Sequence, residues 1–225
     1  MTPIEAIVFD FDGVIVDSEP LYEKAEKELF ASYEVDIKTE DLKDTKGLSE
    51  EMYLGIIRER YKITAPLEEI SIRGRAILKK YFANELDYIP GFLAFYNKIN
   101  MRVKTGLATS SSRDLLNWIF DNTPIRNHFR WSVTADEVLH TKPHPEPYRK
   151  VCQLMDVKPK NTIVIEDSVN GLQSAIVAGA ITLGFFNDAF RGNFPNTDYR
   201  ASDYQQVEAL ILTIIEQKKV NNPCI

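Results

Sequence analysis

Residues 6–13 read AIVFDFDG, four apolar residues of a buried strand that end abruptly in an acidic turn. Further short apolar runs follow at residues 103–108, 131–133, 162–165 and 180–183. The stretches between these runs carry apolar residues at helical spacing. Alternating buried strands and helices are typical of a parallel sheet covered on both faces. The sequence therefore predicts an α/β fold, with a last helix over residues 205–217.

The segment from residue 16 to residue 88 differs from the rest of the chain. It contains no convincing strand, its apolar residues recur at helical spacing, and it carries nearly all of the excess negative charge. We expect an all-helical domain over residues 16–88, inserted into a core formed by residues 1–15 and 89–225. A simple exposed helical hairpin has the same charge pattern, so charge alone does not distinguish the two interpretations.

Composition narrows the classes of function. The 225 residues include 27 Lys and Arg against 33 Asp and Glu, a net charge of −6, so no broad cationic surface is available for nucleic acid. Cys152 and Cys224 lie far apart and lack metal-ligand spacing. The N-terminus shows no export signal, and no apolar run approaches the roughly 18 residues of a membrane span. These features predict a soluble, cytoplasmic protein with no nucleic-acid or membrane partner.

Polar residues follow several of the predicted strands directly, where ligands bind in open parallel sheets. Directly after strands come Asp10 and Asp12, the hydroxyl cluster at residues 109–112, and the pair Glu166 and Asp167; Lys142 follows the strand at 131–133 after a loop. Carboxylates suit Mg²⁺, and lysine, hydroxyls and helix N-terminal amides suit a phosphoryl group. A carboxylate is also able to act as a nucleophile and form an aspartyl-phosphate. The set predicts phosphoryl-transfer chemistry at one edge of the sheet.

Each of these features alone has an ordinary structural explanation. An Asp-x-Asp sequence is often only a turn, and a Ser/Thr cluster is often only a helix cap. The joint placement of all four features favours function over these explanations. The three histidines, His128, His140 and His144, show no ligand pattern, and we expect them to be loop residues without a catalytic role.

Four segments together resemble the haloacid dehalogenase superfamily in chain order. They are FDFDGV at residues 9–14 followed by Asp17-Ser18, ATS at 108–110, Lys142-Pro143, and IEDS at 165–168. The resemblance spans essentially the whole chain. It implies a Rossmann-like doubly wound core, and the helical insertion resembles the small cap of the phosphoglycolate phosphatase and β-phosphoglucomutase branch.

The resemblance also implies a role for each matching residue. Asp10 matches the nucleophile, and Asp12 matches the acid/base that protonates the leaving oxygen and then activates water. The matching phosphate-binding residues are Thr109, Ser110 and Lys142. The matching Mg²⁺ ligands are Asp10, Asp167, Glu166 and, through its backbone carbonyl, Asp12.

Departures from related subfamilies help to choose the reaction. Dehalogenases and phosphonate hydrolases lack the acid that Asp12 supplies. β-Phosphoglucomutases usually have histidine where this chain has Tyr22. They also have an arginine after a Lys-Gly pair; this chain has that pair at Lys46-Gly47, but Glu50 in place of the arginine. The sequence therefore predicts a Mg²⁺-dependent phosphatase of a small phosphomonoester, such as a sugar phosphate or phosphoglycolate, with a mutase as the alternative.

Substrate choice is expected to come from the cap, because the core contacts only the phosphoryl group. The candidate cap residues are Glu19, Tyr22, Lys46, Glu50, Arg73 and Arg75. We expect a small phosphorylated metabolite as the partner and a monomer or weak homodimer. Alternatives of another class are a phosphoreceiver domain, which the chain length and motif order oppose, and a non-catalytic binding protein.

Overall fold

A computed structural model describes residues 3–38, 50–186 and 195–220. Its strands are β1 (Ala6–Phe9), β2 (Lys104–Ala108), β3 (Trp131–Val133), β4 (Thr162–Glu166), β5 (Ile181–Phe185) and β6 (Tyr199–Ala201). They form one parallel sheet in the order β3-β2-β1-β4-β5-β6. The chain adds β2 and β3 on one side of β1, then β4 to β6 on the other. Sheets of this kind bind ligands at that reversal of strand order, between β1 and β4.

The two strands at the reversal are buried along their whole length. In the sheet register, Phe9 of β1 pairs with Leu107 of β2 on one side and with Ile165 of β4 on the other. Continuous apolar strands of this kind fit a parallel sheet covered on both faces. The predicted α/β architecture is confirmed.

Five strands lie within two residues of the runs that predict them. The strand β6 is not predicted by the sequence, because it has only three residues and Arg200 at its centre is exposed, so no apolar run marks it. The last helix, Tyr204–Val220, is slightly longer than the predicted 205–217.

The described residues form eight α-helices. They are α1 (Glu19–Ala31), α2 (Glu50–Arg60), α3 (Leu67–Glu85), α4 (Phe92–Ile99), α5 (Arg113–Asn122), α6 (Glu146–Leu154), α7 (Val169–Ala178) and α8 (Tyr204–Val220). Two helices begin just after central strands at a serine cap: Ser112 Oγ accepts from Leu115 N at 3.3 Å, and Ser168 Oγ accepts from Gly171 N at 3.0 Å. Within the described ranges, no helix combines the length and apolarity needed to cross a membrane.

The chain divides into two compact units, Met1–Asp17 with Asp87–Ile225, and Ser18–Leu86. The first unit holds the sheet and an aromatic cluster in which Phe9 contacts Phe92, Phe95 and Phe129, with ring centroids 5.6 to 6.2 Å apart. The second unit contains α1, α2 and α3, and no strand among its described residues. Its core includes Phe30, Ile57 and Ile70.

The chain leaves and re-enters the first unit at adjacent backbone positions. Asp17 N donates to Asp87 O at 3.1 Å, and Ile89 N donates to Ile15 O at 2.8 Å. Between these bonds, Val16 and Tyr88 form an antiparallel bridge. The point at which the second unit is inserted is therefore closed by the first unit's own backbone.

Candidate active site

Asp10 is the first residue after β1, and it is held at the reversal of strand order by the sheet itself. Its backbone N donates to the Ile165 carbonyl of β4 at 3.0 Å. Its carboxyl group is almost fully buried, with 6% of the residue exposed. The sheet register therefore places this carboxyl group beside Glu166, which ends β4.

Lys142 joins the two strand ends. Its ammonium donates to Asp10 Oδ1 at 2.5 Å, to Glu166 Oε1 at 2.8 Å and to the Ala108 carbonyl at the end of β2 at 3.0 Å. An ammonium has three N–H donors, so all of them have acceptors here. Only 4% of the side chain is exposed, and the ammonium lies 5.0 Å from the centre of the Tyr148 ring. The lysine is fixed in position by this network.

Glu166 and Asp167 complete what we call the acidic cluster, formed by Asp10, Glu166 and Asp167. One carboxylate oxygen from each lies within 4.8 Å of the others. Glu166 is 1% exposed, and its Oε2 accepts from Ser168 N at 2.7 Å. These oxygens are the ligands that a hard divalent cation prefers.

Charge in the acidic cluster is unbalanced without a cation. The pKa of Asp10 is raised to about 8, chiefly by burial: Lys142 lowers this pKa, whereas Glu166 and Asp12 add to the increase. Burial, with the neighbouring carboxylates, also raises the pKa of Asp167 well above its usual range. Burial alone would lower the pKa of Lys142, but Asp10 and Glu166 outweigh it and hold that pKa well above its usual value. Three carboxyl groups face one ammonium, and a divalent cation fits this imbalance.

Two glycines leave space that the acidic cluster uses. A Cβ atom on Gly171 would lie 1.7 Å from Glu166 Oε1, and one on Gly13 would lie 1.9 Å from Asp167 Oδ2. Gly13 also has φ +73°, a conformation that favours glycine. The cluster therefore depends on the absence of side chains at both positions.

The loop after β2 carries the predicted hydroxyl residues. Thr109 is buried, and its Oγ1 accepts from Ser111 N at 3.0 Å. Ser111 Oγ donates to Asp12 Oδ2 at 3.2 Å, which ties this loop to the turn after β1. Ser110 is exposed. The serine that contacts Asp12 is thus Ser111, which the sequence marks only as a member of the hydroxyl cluster.

The structure brings Asp10, Lys142, Glu166 and Asp167 together, and places Asp12 and Thr109 on the adjoining turns. Sequence reasoning missed two contacts, the Ser111–Asp12 hydrogen bond and the Tyr148 ring beside Lys142. Tyr148 carries no sequence signal beyond its place in an apolar helical pattern. Its position depends on α6 packing against the sheet, as its membership of the sheet core shows.

The predicted cap residues belong to the second unit, and their roles stay predictions. Tyr22 packs edge-on against Phe82 with ring centroids 5.5 Å apart. Arg73 donates to Glu69 Oε1 at 3.1 Å and lies over the Tyr33 ring at 4.7 Å. Two further predicted residues, Glu19 and Arg75, are exposed. Glu50 begins α2, but its side chain is outside the described part of the chain, and Lys46 lies outside the described residues altogether.

Comparison with known proteins agrees with this geometry. Residues 7–185 match the haloacid dehalogenase-like hydrolase family. A protein named phosphorylated carbohydrates phosphatase, from Thermotoga maritima, is 34% identical over 179 residues, 78% of this chain and 82% of that protein. Hexitol phosphatase B of Escherichia coli strain K12 is 31% identical over 174 residues, 75% of this chain and 78% of that protein.

A solved structure extends the likeness to the fold. A Thermotoga maritima protein provisionally described as a β-phosphoglucomutase superposes with a TM-score of 0.79 at 27% identity, covering 93% of this chain and 99% of that chain. The chain belongs to the haloacid dehalogenase-like hydrolases. The predicted family, the Rossmann-like fold and the prediction of a phosphatase-type enzyme are confirmed.

Proposed function

We propose that the protein is a Mg²⁺-dependent phosphatase that hydrolyses a small sugar phosphate through a phosphorylated Asp10. The observation that carries this proposal is the buried acidic cluster with Lys142 at the reversal of strand order. A carboxylate held rigidly beside a buried ammonium and two further carboxyl groups suits attack on phosphorus better than a purely structural role.

Asp10 acts as the nucleophile in the first half of the reaction. One of its carboxylate oxygens forms a bond to phosphorus while the bond from phosphorus to the substrate oxygen breaks. Asp12 donates a proton to the leaving oxygen, so that the alcohol departs neutral. Ser111 orients Asp12 through the hydrogen bond at 3.2 Å.

The second half of the reaction reverses the role of Asp12. Asp12 accepts a proton from water as that water forms a bond to phosphorus, and the bond between phosphorus and Asp10 breaks. Inorganic phosphate leaves and Asp10 is restored as a carboxylate. The Thr109 hydroxyl and the Ser110 backbone N–H bind the phosphoryl oxygens during both halves, and the positive charge of the nearby Lys142 ammonium offsets the negative charge of these oxygens.

Mg²⁺ would be held by the side chains of Asp10, Glu166 and Asp167 and by the backbone carbonyl of Asp12. When bound, it supplies positive charge that offsets the phosphoryl oxygens and the carboxylates of the site. The carboxylate oxygens and the charge imbalance of the acidic cluster support this assignment.

We further propose that the second unit, Ser18–Leu86, is the cap that sets substrate choice. The expected specificity residues are Glu19, Tyr22, Lys46, Glu50, Arg73 and Arg75. Glu69 and the Tyr33 ring engage the Arg73 guanidinium, so a substrate that binds this residue would have to compete with these contacts. The relatives named as phosphatases of phosphorylated carbohydrates and hexitols support a sugar phosphate as substrate.

A mutase is the second candidate, supported by the likeness to the Thermotoga maritima protein described as a β-phosphoglucomutase. Tyr22 and Glu50 stand where that resemblance expects histidine and arginine. The reference pKa of tyrosine is near 10 and that of histidine near 6.5, so tyrosine is a poorer acid or base than histidine near neutral pH. The hydrolase is therefore favoured over the mutase.

The deciding experiment is phosphate release from a panel of hexose phosphates, hexitol phosphates, phosphoglycolate and nucleoside monophosphates, with and without Mg²⁺. We expect Mg²⁺-dependent release that is fastest with a sugar or hexitol phosphate. Asp10→Asn should lose about a thousandfold or more in rate. Asp121→Asn, an exposed change on α5, is the matched control and should keep the parent rate.

Two results would contradict the phosphatase. Conversion of a sugar 1-phosphate to the 6-phosphate, dependent on a sugar bisphosphate and without phosphate release, would establish the mutase. A folded protein that binds Mg²⁺ and yet turns over no compound in either assay would indicate a binding protein or a phosphoreceiver.

A further inference from the structure

The loop that carries Lys142 also brings two histidines and a glutamate together. One ligand atom from each of His140, His144 and Glu146 lies within 4.8 Å of the others. The sequence shows no ligand pattern for these histidines, and both do lie in a loop, as expected. The loop nevertheless turns so that their rings approach to 4.5 Å between centroids. We call these three residues the histidine site.

Glu146 is fixed in place before any ligand binds. It lies in the first turn of α6, where Leu139 N donates to its Oε1 at 2.9 Å and His140 N donates to its Oε2 at 3.0 Å. These bonds lower the pKa of Glu146, so the group is a carboxylate near neutral pH. A carboxylate offers about four acceptor sites, so Oε1 keeps a lone pair for a further partner, and an ion bound at Oε2 would replace the contact of that oxygen with His140 Nδ1 at 3.2 Å.

Both imidazoles approach the same oxygen of this carboxylate. His144 Nδ1 also accepts a hydrogen bond from Glu146 N at 3.3 Å, which an ion bound at this nitrogen would replace. His140 Nδ1 is 3.2 Å from Glu146 Oε2, and His144 Nδ1 is 3.9 Å from the same oxygen. The side chains of His140 and His144 are 64% and 49% exposed, so small rotations meet little steric resistance. Zinc-like ions bind such atoms at about 2.0 to 2.2 Å, which requires ligand atoms to be roughly 3.4 Å apart. The observed spacing is within reach of that geometry.

The chemistry of these ligands selects a class of ion. Imidazole nitrogens suit zinc, cobalt, nickel and copper, whereas Mg²⁺ prefers oxygen ligands and retains its waters. Two histidines and one glutamate are a known ligand set for zinc, with a fourth position left for water. The acidic cluster offers only carboxylate oxygens and favours a harder cation.

We propose that His140, His144 and Glu146 form a second metal site, which binds a divalent transition-metal ion of the zinc or cobalt class. The two histidines lie two residues before and two residues after Lys142, and Glu146 lies four residues after it, so a bound ion would tie together the two ends of the loop that presents this lysine. This proposal does not depend on the phosphatase activity, because it concerns a different set of ligands and is measured by binding.

The test is titration of the purified protein with Co²⁺ at slightly alkaline pH, in the presence of saturating Mg²⁺ to occupy the acidic cluster. Co²⁺ held by imidazoles gives visible absorption bands, and Zn²⁺ affinity is then measured by competition against the Co²⁺ signal. We expect one Co²⁺ equivalent. The double variant His140→Ala/His144→Ala should lose this Co²⁺ equivalent. Its affinity for Co²⁺ should fall by more than about 100-fold, because changing a residue next to the ligands already costs about 10- to 100-fold.

Asp10→Asn is the matched control, because it alters the acidic cluster and leaves the histidine site intact; it should keep the Co²⁺ signal. Both histidines are exposed, so circular dichroism and thermal unfolding should show that the double variant folds. The proposal is overturned if the parent protein shows no Co²⁺ bands under these conditions. It is equally overturned if the folded double variant binds Co²⁺ as tightly as the parent.

Discussion

Among single residues, Gly171 has the tightest steric requirement in the site. It lies in the first turn of α7, and a Cβ atom there would meet Glu166 Oε1 at 1.7 Å. Glu166 has little room to move, since Lys142 and Ser168 hold both of its oxygens. Helix propensity favours alanine over glycine by up to about 1 kcal/mol. Any loss of metal binding or activity in Gly171→Ala therefore has to come from the altered site and not from a weaker helix.

We therefore predict that Gly171→Ala weakens Mg²⁺ binding at least about tenfold and lowers phosphatase activity, because Glu166 is displaced from the acidic cluster. Gly55→Ala is the matched control, since Gly55 is also helical and a Cβ there meets nothing within 4 Å. That variant should keep activity and gain up to about 1 kcal/mol of stability. Calorimetric Mg²⁺ titration of both variants checks the prediction, and equal Mg²⁺ affinity in the two would contradict it.

The sequence predicts the residues of the acidic cluster well, because each follows a strand directly and the ends of parallel strands share one edge. Contacts that depend on packing are not predicted by the sequence. Ser111, rather than a neighbouring serine, reaches Asp12 because of the path of one turn. Likewise, Glu146 meets His140 and His144 only through the fold of their loop, which spacing along the chain does not reveal.

Among the elements, the turn from β2 into α5 has two adjacent serines, one of which contacts the proposed active site while the other stabilises the helix. Ser111 donates to Asp12, whereas its neighbour Ser112 caps α5 through Leu115 N. Adjacent residues of the same type thus serve the site and the helix respectively. This provides a matched pair of substitutions.

We predict opposite results for the two serines. Ser111→Ala should lower kcat about tenfold, because Asp12 loses the hydrogen bond that orients its carboxyl group for proton transfer. Stability should change little, because both side chains are half-buried and water is able to replace the lost partner of Asp12. Ser112→Ala should lose about 1 kcal/mol of stability with activity retained, because it removes a helix cap. Measurements of kcat and of the free energy of unfolding in urea, made on both variants, test this prediction. An unaltered kcat in Ser111→Ala would show that Asp12 does not need this partner.

The sequence predicts the long, buried strands better than the short strand at the edge of the sheet. Strands β1 and β4 are continuous apolar runs bounded by polar turns, so their positions follow from pattern alone. The strand β6 is set instead by pairing with β5, where Gly184 aligns with Arg200. A three-residue edge strand with an exposed centre is stabilised by its neighbour, and its own sequence carries no periodic signal.

For the molecule as a whole, the buried carboxyl groups link folding, pH and metal binding. Burial raises the pKa of Asp10 to about 8, far above the value near 4 expected in the unfolded chain. The metal-free folded protein therefore binds this proton more tightly than the unfolded protein does. The stability that the proton contributes is complete below about pH 4 and is lost as the pH rises toward about 8.

We predict that the stability of the metal-free protein includes a term that falls with pH between about 5 and 8, by up to about 1.4 kcal/mol per pH unit for each such group. Mg²⁺ has to displace these protons, so the rise in Tm that it causes should grow over the same range. Calorimetry of parent and Asp10→Asn, with and without Mg²⁺, measures both effects. A Tm increment from Mg²⁺ that is independent of pH would contradict the prediction.

The closed backbone at the insertion point has an evolutionary consequence. Because Asp17 bonds to Asp87 and Ile89 to Ile15, the backbone of the host domain itself holds the two ends of the inserted unit together. Lengthening a connection between ends that already meet costs only about 0.6 kcal/mol per doubling. The insert is thus an exchangeable domain, whose sequence and length are able to change in evolution independently of the proposed catalytic edge of the sheet.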